Sequence, residues 1–188
     1  MNNYSLPSID NCCVAVIGMG YVGLPLAIEL ASTKEQLRSK KNKQRKVICF
    51  DINKARIDDL ERNFDKTNEV SESEIKSKEN IIFTTKVENL ALAEVFIVTV
   101  PTPIDSSKKP NLTPLINATS TIGKVLKLKN KFPQSKDCIN IPLVIYESTV
   151  YPGATEEICI PILETESGLK LVSDKKELGF GCGYSPER

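Results

Sequence analysis

The chain contains no histidine, and this absence narrows its chemistry more than any other feature of its composition. Histidine-based zinc centres, histidine-dependent triads and imidazole general bases are all excluded. Any catalysis must draw on carboxylates, lysines, cysteines or hydroxyls. Long apolar runs are missing as well, and none approaches the ~20 residues that a membrane-spanning helix needs. The opening segment, Met1-Asn-Asn-Tyr-Ser-Leu-Pro7, has no basic stretch leading into an apolar one, so no secretory signal is read there and a cytoplasmic location is expected. An excess of one charge is also lacking: 25 Lys and Arg stand against 24 Asp and Glu, for a net charge of +1. That balance argues against a generally basic nucleic-acid surface, and no nucleic-acid partner is expected.

Six cysteines are present (Cys12, Cys13, Cys49, Cys138, Cys159, Cys182), yet none is spaced as C-x-x-C. Without a secretory signal they are expected as reduced thiols buried in strands and helices, and no metal site is expected. One basic run, Arg38-Ser-Lys-Lys-Asn-Lys-Gln-Arg-Lys46, departs from the even charge. It follows a predicted helix, where cations favour the negative end of the dipole, and reads as a solvated helix end and loop. The sharper alternative, a polyphosphate or nucleic-acid patch, lacks the interleaved aromatics that stacking on bases requires.

What is present begins with Val14-Ala-Val-Ile-Gly-Met-Gly-Tyr-Val-Gly-Leu-Pro-Leu-Ala27. A short apolar strand passes through Gly18-x-Gly20-x-x-Gly23 into a helix-periodic segment, the context a dinucleotide fingerprint needs. Gly18 would permit the tight turn, Gly20 the close approach of a pyrophosphate, and Gly23 close packing of helix on strand. The helix N-terminus would then offer unpaired N–H groups and a positive dipole end to the phosphates.

The rest of the chain reads as alternating elements. Strands are predicted at Cys13–Gly18, Lys46–Asp51, Ile81–Thr85, Glu94–Val100, Pro142–Glu147 and Leu178–Tyr184, and helices from about Val22 to the Lys-rich loop, over Asn53–Asn63, over Thr113–Leu128 and over Gly153–Glu164. Pro161 is expected to shorten or kink the last of these. Asp65–Asn80 is predicted to be loop with a short helix, opened by a capping box of Ser71 and Glu74. Apolar strands alternating with helices predict an α/β fold: one Rossmann-like, doubly wound, mainly parallel sheet with helices on both faces, spanning residues 1–188.

Three features support the glycine fingerprint. The second strand ends in Phe50-Asp51, which places a carboxylate where the ribose hydroxyls of NAD are held. Asp51 would also repel the 2′-phosphate of NADP, so NAD is the expected cofactor. Its distance from the glycines exceeds the usual spacing of about 20 residues, and the Lys-rich insertion accounts for the excess. Val100-Pro-Thr102-Pro103 follows the fourth strand at the carboxyl edge of the sheet, where ligands bind. Tyr146-Glu-Ser-Thr149-Val-Tyr-Pro-Gly153 follows the next strand, with hydroxyls able to meet a cofactor or a reacting alcohol. Taken alone, its Ser-Thr pair before a Pro-Gly turn also reads as a helix cap.

Together, VAVIGMGYVGLPLA, FDINKARIDDL, FIVTVPTPID, IGKVL, VIYESTVYPGATEE and GYSPER closely resemble the nucleotide-sugar 6-dehydrogenases, the UDP-glucose/GDP-mannose dehydrogenase family. Asp65-Lys-Thr-Asn-Glu-Val70, Glu147 before the Ser-Thr pair and Ser185-Pro-Glu-Arg188 resemble the branch acting on UDP-N-acetylhexosamines. The resemblance implies oxidation of a sugar's C6 alcohol to a carboxylate with two NAD, yielding a UDP-uronic acid for capsule or O-antigen synthesis. It implies covalent catalysis through a cysteine thiohemiacetal, with the hydride chemistry supplied by NAD.

By the same resemblance, Gly18, Gly20, Tyr21, Val22 and Gly23 would line the pyrophosphate. Asp51 would bind the adenosine ribose, with Arg56 beside the adenine end. Thr102 would approach the cofactor, Thr149 would serve a catalytic water and the nicotinamide, and Glu187 would lie near the reacting centre. The family's catalytic cysteine, lysine and asparagine follow its S-P-E loop, beyond the residues of this chain. Cys182 precedes that loop and is read as a strand or loop residue. The chain alone is therefore expected to bind NAD without completing the oxidation. The UDP-sugar and a homodimer through the central helix are expected of the full-length family member. The competing readings are a non-catalytic nucleotide-binding or partner protein derived from this family and a different NAD oxidoreductase, such as a hydroxyacid dehydrogenase.

Overall fold

The computed structural model describes residues 4–8, 12–32, 45–104, 109–131, 139–172 and 178–185. Short, wholly apolar segments become the central strands: β1 (Val14–Ile17), β2 (Val47–Phe50) and β4 (Val95–Val98) are buried at every position. With β3 (Ile81–Thr84), β5 (Leu143–Tyr146), β6 (Lys170–Leu171) and β7 (Gly179–Tyr184), they form a seven-stranded sheet in the order β3-β2-β1-β4-β5-β7-β6. Every pairing is parallel. The sheet is doubly wound, as the alternation of elements predicts.

Alternate side chains of each strand serve opposite faces. Val14, Val16, Val47, Cys49, Val95 and Ile97 pack under α1 (Gly23–Ala31) and α2 (Lys54–Glu61) through Leu24, Ala27, Ile28, Ile57 and Leu60. Ala15, Ile17, Ile48, Phe50, Phe96 and Val98 pack on the other face with Leu115, Ile122, Val125, Leu126 and Leu163. Those last five belong to α4 (Thr113–Lys131) and α5 (Ile160–Ser167), and α3 (Glu72–Lys76) lies between β3 and α2 in the chain. Gly123 lets α4 and α5 cross closely, because a Cβ there would sit 2.6 Å from that of Glu166. Burial of both faces supplies the main driving force, at roughly 25 cal/mol per Å² of apolar surface.

Most predicted elements stand within a few residues of their observed ends. The exception is α1, which ends at Ala31 rather than running on to the Lys-rich loop, because Ser32 turns to extended backbone (ψ 139°) and its N–H donates to Glu29 O. The Ser71 capping box is present: Ser71 N–H donates to Glu74 Oε2 at 2.9 Å and Glu74 N–H to Ser71 Oγ at 3.3 Å. Pro161 does not end its helix. A π-turn over Thr155–Cys159 precedes it, Pro161 falls in the first turn of α5, and the helix continues to a left-handed cap at Gly168 (φ 72°). The widened turn places proline where its missing N–H costs nothing. Strand β6, the short 3₁₀ helix Val87–Leu92 and a two-residue parallel pair of Tyr4–Ser5 with Ile139–Asn140 have no counterpart in the sequence reading.

Among the described residues, Cys12, Cys13, Cys49, Cys159 and Cys182 are free thiols, and Cys138 lies outside them. Burial pushes their pKa values up, that of Cys182 to about 12. Cys182 sits in β7 opposite Val144 of β5. No described helix is long and apolar enough to cross a membrane.

Candidate cofactor site

The parallel sheet brings the ends of β1, β2, β4 and β5 to one edge, and the loops leaving them carry most of the polar candidates. Gly18 ends β1 with φ +102°, a conformation open to glycine and strained for other residues. Its N–H donates to Phe50 O at 2.8 Å, which ties the turn to the end of β2. Gly23 starts α1 so close to the strand that a Cβ would lie 1.9 Å from Gly18 O and 2.5 Å from Thr99 Oγ1. Gly20 is different: a Cβ there would meet nothing within 4 Å. Internal packing thus explains Gly18 and Gly23, and leaves the surface at Gly20 open for a ligand to approach the backbone.

The N-terminus of α1, with Val22 at its cap, has no side-chain capping bond among the described residues, which leaves its dipole without a side-chain cap there. Tyr21 stands 69% exposed at the mouth of the turn. These groups fit a dinucleotide pyrophosphate, which such a turn binds through backbone N–H groups.

Asp51 follows β2 with both carboxylate oxygens engaged. Oδ2 accepts the Met19 N–H at 2.7 Å and Oδ1 the Asn53 N–H at 2.8 Å. A carboxylate offers about four lone-pair sites, so acceptor capacity remains for ribose hydroxyls. The same Met19 is gripped from its other end, where Arg56 Nε donates to Met19 O at 2.7 Å. Asn53 caps α2 by accepting the Arg56 N–H at 3.3 Å, and so starts the helix that carries Arg56. Arg56 is only 10% exposed at its side chain and pairs with Asp65 at 2.7 Å. It therefore braces the glycine turn.

Motif spacing does not single out Asp65, although its segment carries part of the family resemblance. It is buried, and its carboxylate accepts from Thr67 N–H (3.0 Å), Thr67 Oγ1 (2.7 Å), Glu69 N–H (2.9 Å) and Val70 N–H (3.0 Å). Burial opposes its ionisation, but the Thr67, Arg56 and Val70 donors prevail and hold its pKa at about 2.

Two further buried hydroxyls fix the loops. Thr99 Oγ1 donates to Ile17 O at 3.0 Å or Gly18 O at 2.8 Å, so it binds the end of β4 to the turn. Ser148 Oγ donates to Val100 O at 2.6 Å, which tethers the β5 loop to the Val100–Pro103 loop. The Ser-Thr pair is thus an inter-loop tie, and the π-turn that follows has no side-chain cap. Thr102 Oγ1 donates to the Thr149 carbonyl at 2.6 Å, bringing these two predicted site residues together. Thr149 is exposed, and Glu187 lies outside the described residues. A signal for Thr99 and Ser148 existed: each is a hydroxyl just past an apolar strand at the ligand edge.

The family model for the NAD-binding domain of the UDP-glucose/GDP-mannose dehydrogenase family matches residues 12–188. The chain belongs to this family. Among relatives, it is 49% identical over 175 residues to the UDP-N-acetyl-D-glucosamine 6-dehydrogenase of Pseudomonas aeruginosa, covering 93% of the chain and 35% of that protein. It is 46% identical to Protein CapL of Staphylococcus aureus, covering 93% of the chain and 34% of CapL. Among solved structures, the UDP-D-ManNAc dehydrogenase of Pyrococcus horikoshii aligns with TM-score 0.69 and 30% identity, over 93% of the chain and 36% of that structure. A GDP-mannose dehydrogenase of Pseudomonas aeruginosa aligns with TM-score 0.74 and 22% identity, over 93% and 36%, and supports the fold alone. The chain spans about a third of the length of the relatives it matches. The cofactor class of this domain is NAD.

Proposed function

We propose that this chain is the NAD-binding portion of a UDP-N-acetylhexosamine 6-dehydrogenase, working in the cytoplasm on a sugar nucleotide for surface polysaccharide. The reaction is oxidation of the C6 alcohol to a carboxylate, with two NAD consumed per sugar. One observation carries the reading: Asp51 is fixed against the glycine turn through the Met19 N–H at 2.7 Å, beside the open face of Gly20. A carboxylate and an accessible turn backbone so joined suit a ribose and a pyrophosphate of one dinucleotide. The 49% identity to the Pseudomonas aeruginosa enzyme supports the substrate class.

Bound NAD supplies the hydride acceptor. Gly18, Gly20, Tyr21, Val22 and Gly23 bind its phosphates, Asp51 its ribose, and Arg56 braces the turn. Thr102 and Thr149 form the wall toward the nicotinamide end, with Thr149 holding a water and Glu187 near the reacting carbon. The family's nucleophilic cysteine has no equivalent among these residues, so the chain alone binds NAD and leaves the sugar unoxidised. The domain is residues 1–188, and the central helix and sugar-nucleotide domain, with the homodimer they form, belong to the full-length protein.

A chimera tests this. The chain is joined to the remaining two-thirds of the Pseudomonas aeruginosa enzyme and assayed with UDP-N-acetylglucosamine. The expected result is two NADH per sugar in the chimera, strong loss in its Thr149→Ala variant, and none from the chain alone. NADH formation by the chain alone, or a folded chimera that binds NAD and never turns over, would contradict the proposal.

A further inference from the structure

Doubly wound domains that accept NADP use an arginine near the end of the second strand to take the 2′-phosphate. This chain has an arginine there but does not leave it free. Arg56 Nε donates to Met19 O at 2.7 Å, and Nη1 lies 2.7 Å from Asp65 Oδ1. Nη2 is 3.5 Å from Thr67 Oγ1. The paired carboxylate is 1% exposed at its side chain. Asp65 does not depend on Arg56 for its position, since the Thr67, Glu69 and Val70 N–H groups and the Thr67 hydroxyl already hold it. The guanidinium is thus drawn to a fixed, buried anion, and withdrawing it would strand that charge.

We propose that Asp65 is a positioning residue for cofactor choice, holding Arg56 on the Met19 carbonyl and withholding its charge from a 2′-phosphate at the Asp51 site. The inference rests on the reading of the Gly18–Gly23 turn and Asp51 as the NAD site. Two carboxylates then divide one task. Asp51 repels the phosphate directly, and Asp65 removes the nearby cation that would offset that repulsion. Asp51, Asp65 and Arg56 together carry a formal charge of −1. Replacing both aspartates by neutral residues makes it +1 and releases the guanidinium.

The test is calorimetric titration with NAD and NADP of the chain and its variants, each checked for folding by circular dichroism. In an Asp51→Ser background, adding Asp65→Asn is expected to raise the NADP-to-NAD affinity ratio tenfold or more. Adding Arg56→Met to that double variant is expected to abolish the gain. A purely structural role for Asp65 would weaken both dinucleotides together and leave the ratio where it was. If Asp65→Asn does not fold, Arg56→Met in the Asp51→Ser background decides: with Asp65 present the NADP-to-NAD ratio should stay within twofold even if loss of the brace weakens both dinucleotides, and a tenfold fall in that ratio overturns the proposal. A parent chain that binds NAD, with an unmoved ratio in the folded Asp51→Ser/Asp65→Asn variant, overturns the proposal alone. A folded parent that binds neither dinucleotide overturns the site reading and the proposal with it.

Discussion

Replacing Gly23 and Gly20 by alanine, one at a time, should separate the glycine that builds the fold from the glycine that admits the ligand. At Gly23 the new Cβ would lie 1.9 Å from Gly18 O and 2.5 Å from Thr99 Oγ1, closer than carbon and oxygen approach without displacement. The helix must lift from the strand, at about 1–3 kcal/mol for overpacking. The bond from Thr99 Oγ1 to Gly18 O, at 2.8 Å, is disturbed as well, adding about 1 kcal/mol. Alanine's better helix propensity returns at most about 1 kcal/mol. The net loss is about 2 kcal/mol, or about 1 M in urea midpoint for a chain of this size. At Gly20 the Cβ meets nothing within 4 Å, so stability should move by less than about 0.5 kcal/mol. Its methyl group would nonetheless stand where the pyrophosphate approaches, and NAD affinity should fall at least tenfold. Urea denaturation and NAD calorimetry on the two variants read both effects. A Gly23→Ala chain with an unchanged midpoint, or a Gly20→Ala chain that is destabilised as much as Gly23→Ala, would refute the reasoning.

Asp65 makes stability pH-dependent in acid. Its pKa is held at about 2 against an ordinary 3.8, so the contribution is complete above the ordinary value and is lost as pH falls toward 2. That difference corresponds to about 2 kcal/mol; denaturation midpoints between pH 6 and pH 2.5 should fall more steeply in the parent than in Asp65→Asn. Tyr146 is buried with its hydroxyl 3.0 Å from Thr119 Oγ1. Thr119 has a second acceptor in Leu115 O at 2.7 Å, so Tyr146→Phe should cost only about 1 kcal/mol by denaturation. Burial raises the pKa of that phenol, and alkaline titration should show Tyr146 ionising only as the chain unfolds. Cys49 is wholly buried with its pKa raised, so it should react with a thiol reagent only on unfolding, at a rate that follows denaturant.

The sequence made the sheet legible because its central strands are apolar at every position, a pattern that only burial on both faces explains. The glycine turn and Asp51 were legible for a related reason: a positive φ, a close helix approach and a strand-end carboxylate each demand a particular residue type. What stayed hidden was tertiary. Lys170–Leu171 is too short for a periodicity, and its strand exists because β7 offers a parallel partner. Asp65 lies in a polar stretch whose local pattern says loop, and its value depends on Arg56 of a neighbouring element. Resemblance sets Arg56 beside the adenine end, and its bonds to Met19 and Asp65 are an addition that depends on a loop geometry no spacing reveals. The π-turn before Pro161 shows the same limit, since proline announces a break but not how a preceding turn absorbs it.

The central claim is that the Gly18–Gly23 turn and Asp51 form an NAD site, and calorimetric titration of the chain with NAD tests it most directly, with NADP in parallel and Asp51→Ala as the control. The account predicts saturable NAD binding, weaker NADP binding, and at least a tenfold loss of NAD affinity in a folded Asp51→Ala variant. A folded chain that binds no NAD, or binds it equally well without the Asp51 carboxylate, would contradict it.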